Sequence, residues 1–451
     1  MRSLLRKRAL VCACTPILLA GGVLAGGSVR LVGAGGVASY TEIQDAVLAA
    51  QDGDLILVGS GQYKAVQVQA KGLAIFATPG ASIDVENHLR ILDLASDQSV
   101  VVHGLSVGDV VKGPSPSLVV QNCAGPVRVQ DCDLFGVELW LSDIDCPLQP
   151  GVLGANVQGA DSVALIGCTV VGGQAEAYVQ GMDCEPLDGG AALRAFASRV
   201  ALHDSFLTGA KGVASKGGGK GGPGLLVEGN STVDSSGGAV AGGNGGVGST
   251  CMCQNFGGLA GGVPSGVWRS LGTALVKGSI EVSGPPVAPD GNLVELEGAP
   301  RSLGAPAFAA PSTRLNTTVE GLPGDRVLPV ASSSMGHQLV AVANQIWLGT
   351  WPFHQVQPSI ATTLPAGGSA SVPVFVPPLT SGATHAVLTL QATVSPPNSH
   401  LVLSDARMVL ALDPGLGEDC NGNGLGDLYE IALGLAPDTN HNLIPDTCPG
   451  G

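Results

Sequence analysis

Val127-Arg-Val-Gln-Asp-Cys-Asp-Leu-Phe-Gly136 and Val163-Ala-Leu-Ile-Gly-Cys-Thr-Val-Val-Gly172 are one pattern written twice. The same frame fits Val100-Val-Val-His-Gly-Leu-Ser-Val-Gly108, Val200-Ala-Leu-His-Asp-Ser-Phe-Leu-Thr-Gly209 and Val233-Asp-Ser-Ser-Gly-Gly-Ala-Val-Ala-Gly242. The leading valines are 27, 36, 37 and 33 residues apart. Most units give an alternating strand, a turn at a small or polar pair, and a second short strand. A further strand precedes each of the last four: Leu118-Val-Val120, Ala155-Asn-Val157, Ala192-Leu-Arg-Ala-Phe196 and Leu225-Leu-Val227. No helical segment separates these strands, so βαβ units are excluded. A coil is not. Each unit becomes one turn of a solenoid, with like positions stacked inside and extra length placed in loops on one side.

Composition agrees. The 451 residues include 68 glycines and 30 prolines; 45% are hydrophobic, 13% charged and 4% aromatic. That is poor helix material and suits short strands and turns. The net charge of −15 argues against nucleic acid as a partner, because nothing would offset the phosphates.

The opening residues read as an export signal over 1–25: basic Arg6-Lys7-Arg8, then an apolar run ending at Val23-Leu-Ala25. No second long apolar run follows, so no permanent membrane span is expected. The protein is therefore expected to be secreted or held at the cell surface, where cysteines can oxidise.

At this point the chain resembles the right-handed parallel β-helix superfamily, sometimes called pectin-lyase-like. Tyr40-Thr-Glu-Ile43-Gln-Asp-Ala46-Val47-Leu-Ala-Ala50-Gln-Asp52-Gly53-Asp54-Leu-Ile56-Leu57-Val58-Gly-Ser-Gly61-Gln-Tyr63 carries the likeness best. Ile43, Ala46, Val47 and Ala50 have helical spacing. The resemblance implies an N-terminal capping helix followed by a coil over residues 30–285.

Cys132 and Cys168 share a repeat position, and each has a cysteine in the loop that follows. Disulfides Cys132–Cys146 and Cys168–Cys184 are therefore expected. Cys123, Cys251 and Cys253 stay unassigned. The glycine-rich stretches Lys211–Gly224 and Gly242–Gly248 lack the strand and helix of a phosphate loop. They read as flexible or tightly coiled surface loops.

Many β-helix proteins are polysaccharide lyases or hydrolases. Loop-side carboxylates Asp131, Asp133, Glu138, Asp143, Asp145, Asp183, Glu185 and Asp188 are available, with Arg128 or Arg194 as a base. No Asn-x-Asp, Asp-Asp and Arg-x-Lys set of the polygalacturonase kind is present. His103 sits at a repeat position and reads as structural. Trp140 reads as a loop plug before a sugar platform. No catalytic residues are assigned.

From Pro286 the texture changes. Alternating strands appear at Asn316–Val319, Val327–Ala331, Gln338–Val342, Ile346–Leu348, Ser369–Val376, Ala386–Val394 and Met408–Leu412, separated by Pro-Gly, Gly-Gly and Ser-Gly turns. Residues 286–413 read as a β-sandwich of immunoglobulin-like size. The fold class expected is all-β: a right-handed parallel β-helix with a capping helix, a sandwich, and a short tail.

That tail, residues 419–448, carries calcium-loop chemistry. Asp419, Asn421, Asn423, Asp427 and Glu430 fill positions 1, 3, 5, 9 and 12 of a twelve-residue loop. Gly424 is the turn, and Leu425 offers a backbone carbonyl at position 7. A second pass begins 19 residues later with Asp438, Asn440, Asn442, the Ile444 carbonyl and Asp446. Leu443 replaces its glycine, and Pro449 stands where an acid is wanted. The tail resembles dockerin modules and thrombospondin type 3 repeats, which implies Ca²⁺ as cofactor. A dockerin's second complete loop and helix are missing here, which leaves a cohesin partner unsupported. Cys420 and Cys448 flank the pair and are expected to join.

The functional expectation is an exported, non-catalytic, calcium-stabilised protein whose stacked strands present a ladder to polysaccharide or a cell-surface protein. The alternatives are a lyase or hydrolase acting on acidic polysaccharide, and a purely structural spacer.

Overall fold

The five aligned valines stack in space as they do in sequence. Val100, Val127, Val163, Val200 and Val233 are successive register partners in one parallel sheet, all fully buried. In this computed structural model the described residues are 26–33, 38–108, 115–136, 151–174, 188–212, 219–245, 261–262, 267–276, 292–340, 345–349, 361–397 and 400–451.

Each complete turn gives one strand to each of three parallel sheets. Val127–Gln130 lies in a ten-stranded sheet, Asp133–Phe135 in an eight-stranded sheet and Ala155–Gln158 in a seven-stranded sheet. The next turn repeats this with Val163–Ile166, Thr169–Val171 and Leu193–Phe196. This is a parallel β-helix. Long connections recur between the eight- and seven-stranded sheets, as from Phe135 to Ala155. The ten-stranded sheet ends at Asn292–Glu295, past the change of texture at Pro286.

Inward positions alternate along each strand, so one continuous core fills the coil. Burying each Val, Leu or Ile side chain contributes about 1.5–3 kcal/mol. The helix Ile43–Ala49 adds Ile43, Ala46 and Val47 to that core. Lys71 Nζ donates to the Val47, Leu48 and Ala50 carbonyls and so satisfies the helix C-terminus.

Cys132 and Cys168 point into the core, 1% and 0% exposed, and both are free. The expected pairings with Cys146 and Cys184 are overturned. The repeat position faces inward, where a loop thiol would displace core atoms. Burial pushes the Cys168 thiol up to about 12 and raises Cys132 well above the usual thiol range. Cys146, Cys184, Cys251 and Cys253 lie outside the described residues.

Glycine-rich backbone packs tightly where it is described. Gly190, Gly222 and Gly243 donate in turn to Gly173, Ala210 and Gly222 carbonyls. A Cβ at Gly222 would lie 2.1 Å from the Gly190 oxygen, so only glycine fits.

Beyond the coil, Ser302–Gly304, Arg314–Glu320 and Ser369–Phe375 form a three-stranded antiparallel sheet. It packs on a mainly antiparallel six-stranded sheet containing Arg326–Ser332, His385–Ser395 and Arg407–Leu412. Each strand expected from the alternating pattern overlaps an observed strand, although Ala341 and Val342 of the third lie outside the described residues and Val376 lies beyond the end of Ser369–Phe375.

The six-stranded sheet is buried on both faces. Its second face, through Val387, Met408, Leu410 and Leu412, covers the outside of the ten-stranded sheet at Leu55, Leu57, Phe76 and Ile166. The module thus lies along one flank of the coil. That is why Asp54–Val58 and Leu73–Ala77 are buried at every position.

Candidate functional site

The two tail loops have the same backbone scaffold. In the first, Asp419 accepts from the Asn423 and Gly424 amides, and Asp427 Oδ1 accepts from the Cys420 amide. In the second, Asp438 accepts from Asn442 and Leu443, and Asp446 Oδ1 from Thr439. The position-7 residues Leu425 and Ile444 are held by Asn423 Oδ1 and Asn442 Oδ1. Asn421 and Asn440 each accept the amide two residues on.

Glu430 reaches back from the helix Asp427–Ala432. Its two carboxylate oxygens accept from the Asn421 and Asn423 amides at 3.0 and 2.7 Å. Asp427 and Glu430 are only 7% and 4% exposed. Both carboxylates are held by N–H donors, and with Asp419, Asn421 and Asn423 they form an all-oxygen donor set that could hold a hard cation. In the second loop, Asn442 Nδ2 donates to the Gly450 carbonyl at 2.7 Å. A neutral oxygen thus stands where the first loop has Glu430. Leu443 takes the left-handed φ of +67° where Gly424 has +86°. Burial of Leu443 beside Gly59 of the coil offsets that strain. Cys420 and Cys448 are joined, with Cα atoms 5.9 Å apart, tying the two loops together.

The catalytic candidates do not share a cleft among the described residues. Arg128 is fully buried between coil and module. It donates to the Val127, Ser162 and Gly336 carbonyls and to the Ser162 hydroxyl, with no acidic partner among the described residues. Burial lowers its pKa to about 9. Arg194 lies on the opposite side of the coil, bonded to Glu228 at 2.7 Å and set over the Phe196 ring. Asp131 bonds His103 and Arg407 at 3.3 and 3.0 Å. Burial works against its charge, but these partners hold its pKa below the ordinary value. Asp133 is exposed on a coil strand, and Asp188 accepts from the Lys220 amide. Glu138, Trp140, Asp143, Asp145, Asp183, Glu185 and the export signal lie outside the described residues.

With the ten-stranded flank covered, the seven-stranded sheet is a second long face. Its outward row runs Gln69, Leu92, Gln121, Gln158, Phe196, Glu228 in register from turn to turn. All six side chains are half-buried or exposed. Adjacent rungs in a sheet are about 4.8 Å apart, so this is a regularly spaced row of amide, aromatic and charged groups.

Sequence reasoning did not foresee the polar seam under the module. Gln130 bonds the Met408 backbone, Asp234 pairs with Arg269, and His203 lies 3.5 Å from Asp405. At the edge of the seam a cleft of about 340 Å³ is lined by Asp204, Arg301, Glu320 and Asp405. Burial and the nearby Asp405 charge raise the Asp204 pKa. Among the described residues no helix is long and apolar enough to cross a membrane.

No family model matches the chain, and no curated protein matches it. Among solved structures it is similar to a crystal structure of pectate lyase Pel9A, at 12% sequence identity and a TM-score of 0.21, covering 57% of this chain and 79% of that chain. A likeness that distant carries no functional argument; the parallel β-helix rests on the strand pairing described above.

Proposed function

We propose that this is an exported, non-catalytic β-helix protein, stabilised by calcium at its tail, that binds an extended polysaccharide or a surface protein along its seven-stranded flank. In this reading the helix Ile43–Ala49 closes the start of the coil, and the second module is an immunoglobulin-like sandwich that serves as cover and brace.

One observation carries the proposal. The chain covers its own ten-stranded flank and leaves the row from Gln69 to Glu228, with its three glutamines and Phe196, half-buried or exposed on the seven-stranded one. Arg194 lies over the Phe196 ring, and the glutamines of the row offer amide donors and acceptors that suit the hydroxyl edges of sugar rings. The sealed position of Arg128 removes one of the two bases that a lyase reading would use.

A glycan array tests the reading. Binding by the native protein should be lost on Phe196→Ala and Gln158→Ala while the melting temperature stays unchanged. Cleavage of uronate polymers, followed with and without calcium, separates the enzyme alternative. Depolymerisation that requires a loop-side carboxylate would overturn the non-catalytic reading, and an array without hits would favour the spacer.

A further inference from the structure

Three buried polar atoms on the outer face of the ten-stranded sheet have no hydrogen-bond partner: both ring nitrogens of His203 and the hydroxyl of Ser236. The two residues are register partners on neighbouring strands, 5% and 6% exposed. They line a cavity of about 20 Å³ whose wall also includes Gln391 and Ser404 of the module. Asp405 Oδ1, likewise without a hydrogen bond, lies 3.5 Å from His203 Nδ1.

We propose that this cavity is a built water site, in which one ordered water bridges coil and module. The size fits: a single water needs roughly 10–15 Å³ of such space, which leaves no room here for a polyatomic ligand. The charge fits too. Asp234, the carboxylate in the wall, is already bonded through both oxygens to Arg269, and that guanidinium repels a cation. Neutral imidazole offers one donor and one acceptor. With the proton on Nδ1, facing Asp405, Nε2 is left to accept from the water, which in turn bonds Ser236 Oγ. Orphaned imidazole and hydroxyl groups in a buried interface are costly, and a molecule with two donors and two acceptors relieves both.

Crystallography of the full chain at about 1.5 Å or better tests this, since buried waters of this kind are ordered. The expected result is one density peak within hydrogen-bond distance of His203 Nε2 and Ser236 Oγ. The same peak should vanish in His203→Phe, which keeps a ring and removes both nitrogens. If that variant fails to fold, Ser236→Ala serves in its place. A dry cavity in the native protein, an anomalous signal marking an ion, or a peak unchanged in the variant overturns the proposal.

Discussion

Gln130 treats the backbone of Met408 as a neighbouring strand. Its Oε1 accepts from the Met408 amide at 2.6 Å and its Nε2 donates to the Met408 carbonyl at 3.4 Å, across the boundary between coil and module. Both partners are buried. Gln130→Ala leaves the amide and the carbonyl unpaired away from water. Stability should fall by about 1–3 kcal/mol in denaturant unfolding. The exposed Gln121→Ala should change it by less than about 0.5 kcal/mol. Equal effects would show that the side-chain bridge carries no weight.

Calcium should bind the tail weakly, with a dissociation constant on the order of 10⁻⁴–10⁻³ M as in extracellular modules. Calorimetry on Glu430→Ala should show that heat lost. The second loop, with a carbonyl in place of the acid, should contribute the smaller share, so Asn440→Ala should cost less. Unchanged affinity in Glu430→Ala would refute the ligand set.

Acid should loosen the module. Burial, with the charges of Arg128, Arg199 and Arg269, pushes His337 down to about 3, and burial pushes His385 down to about 4. An unfolded histidine titrates near 6.5. Between that value and the folded ones the unfolded chain takes up protons that the folded chain refuses. Stability is therefore full above about pH 6.5, is lost as pH falls through the window, and levels off below the folded values. Melting temperatures measured with calcium in excess should show this slope, and His385→Asn should flatten it. An identical slope in the variant would exclude His385 as a source.

Thiol reagents should leave Cys123, Cys132 and Cys168 untouched until the chain is denatured, because all three are fully buried and burial raises each pKa. Peptide mapping after native labelling would detect the contrary. Cys168→Ser should fold, since Ser205 already occupies that position one turn on and donates to the Leu165 carbonyl.

The coil was legible because its evidence is local and repeated: the valines, the turn pairs and the corner loops recur in register. The tail scaffold was legible because each oxygen sits at a fixed offset. The docking of module on coil was not, since it depends on pairings such as Gln130 with Met408 that no spacing encodes. One signal was present. Leu55-Ile-Leu-Val58 and Leu73-Ala-Ile-Phe76 are apolar at every position, whereas Val127-Arg-Val-Gln130 alternates. Strands apolar on both sides are covered on both sides. The disulfide expectation failed for a related reason: loop length was read, but the side on which Cys132 and Cys168 point was not.

A Cβ at Gly59 would lie 3.1 Å from the His441 carbonyl oxygen, and Thr384 bonds the Gly27 carbonyl. The beginning of the fold is therefore finished by its end. While the chain is being made, the strip of Leu55, Leu57 and Phe76 emerges hundreds of residues before the strands that will cover it, and the two tail loops emerge later still. A chain cut short before Met408 would carry a bare, adhesive flank.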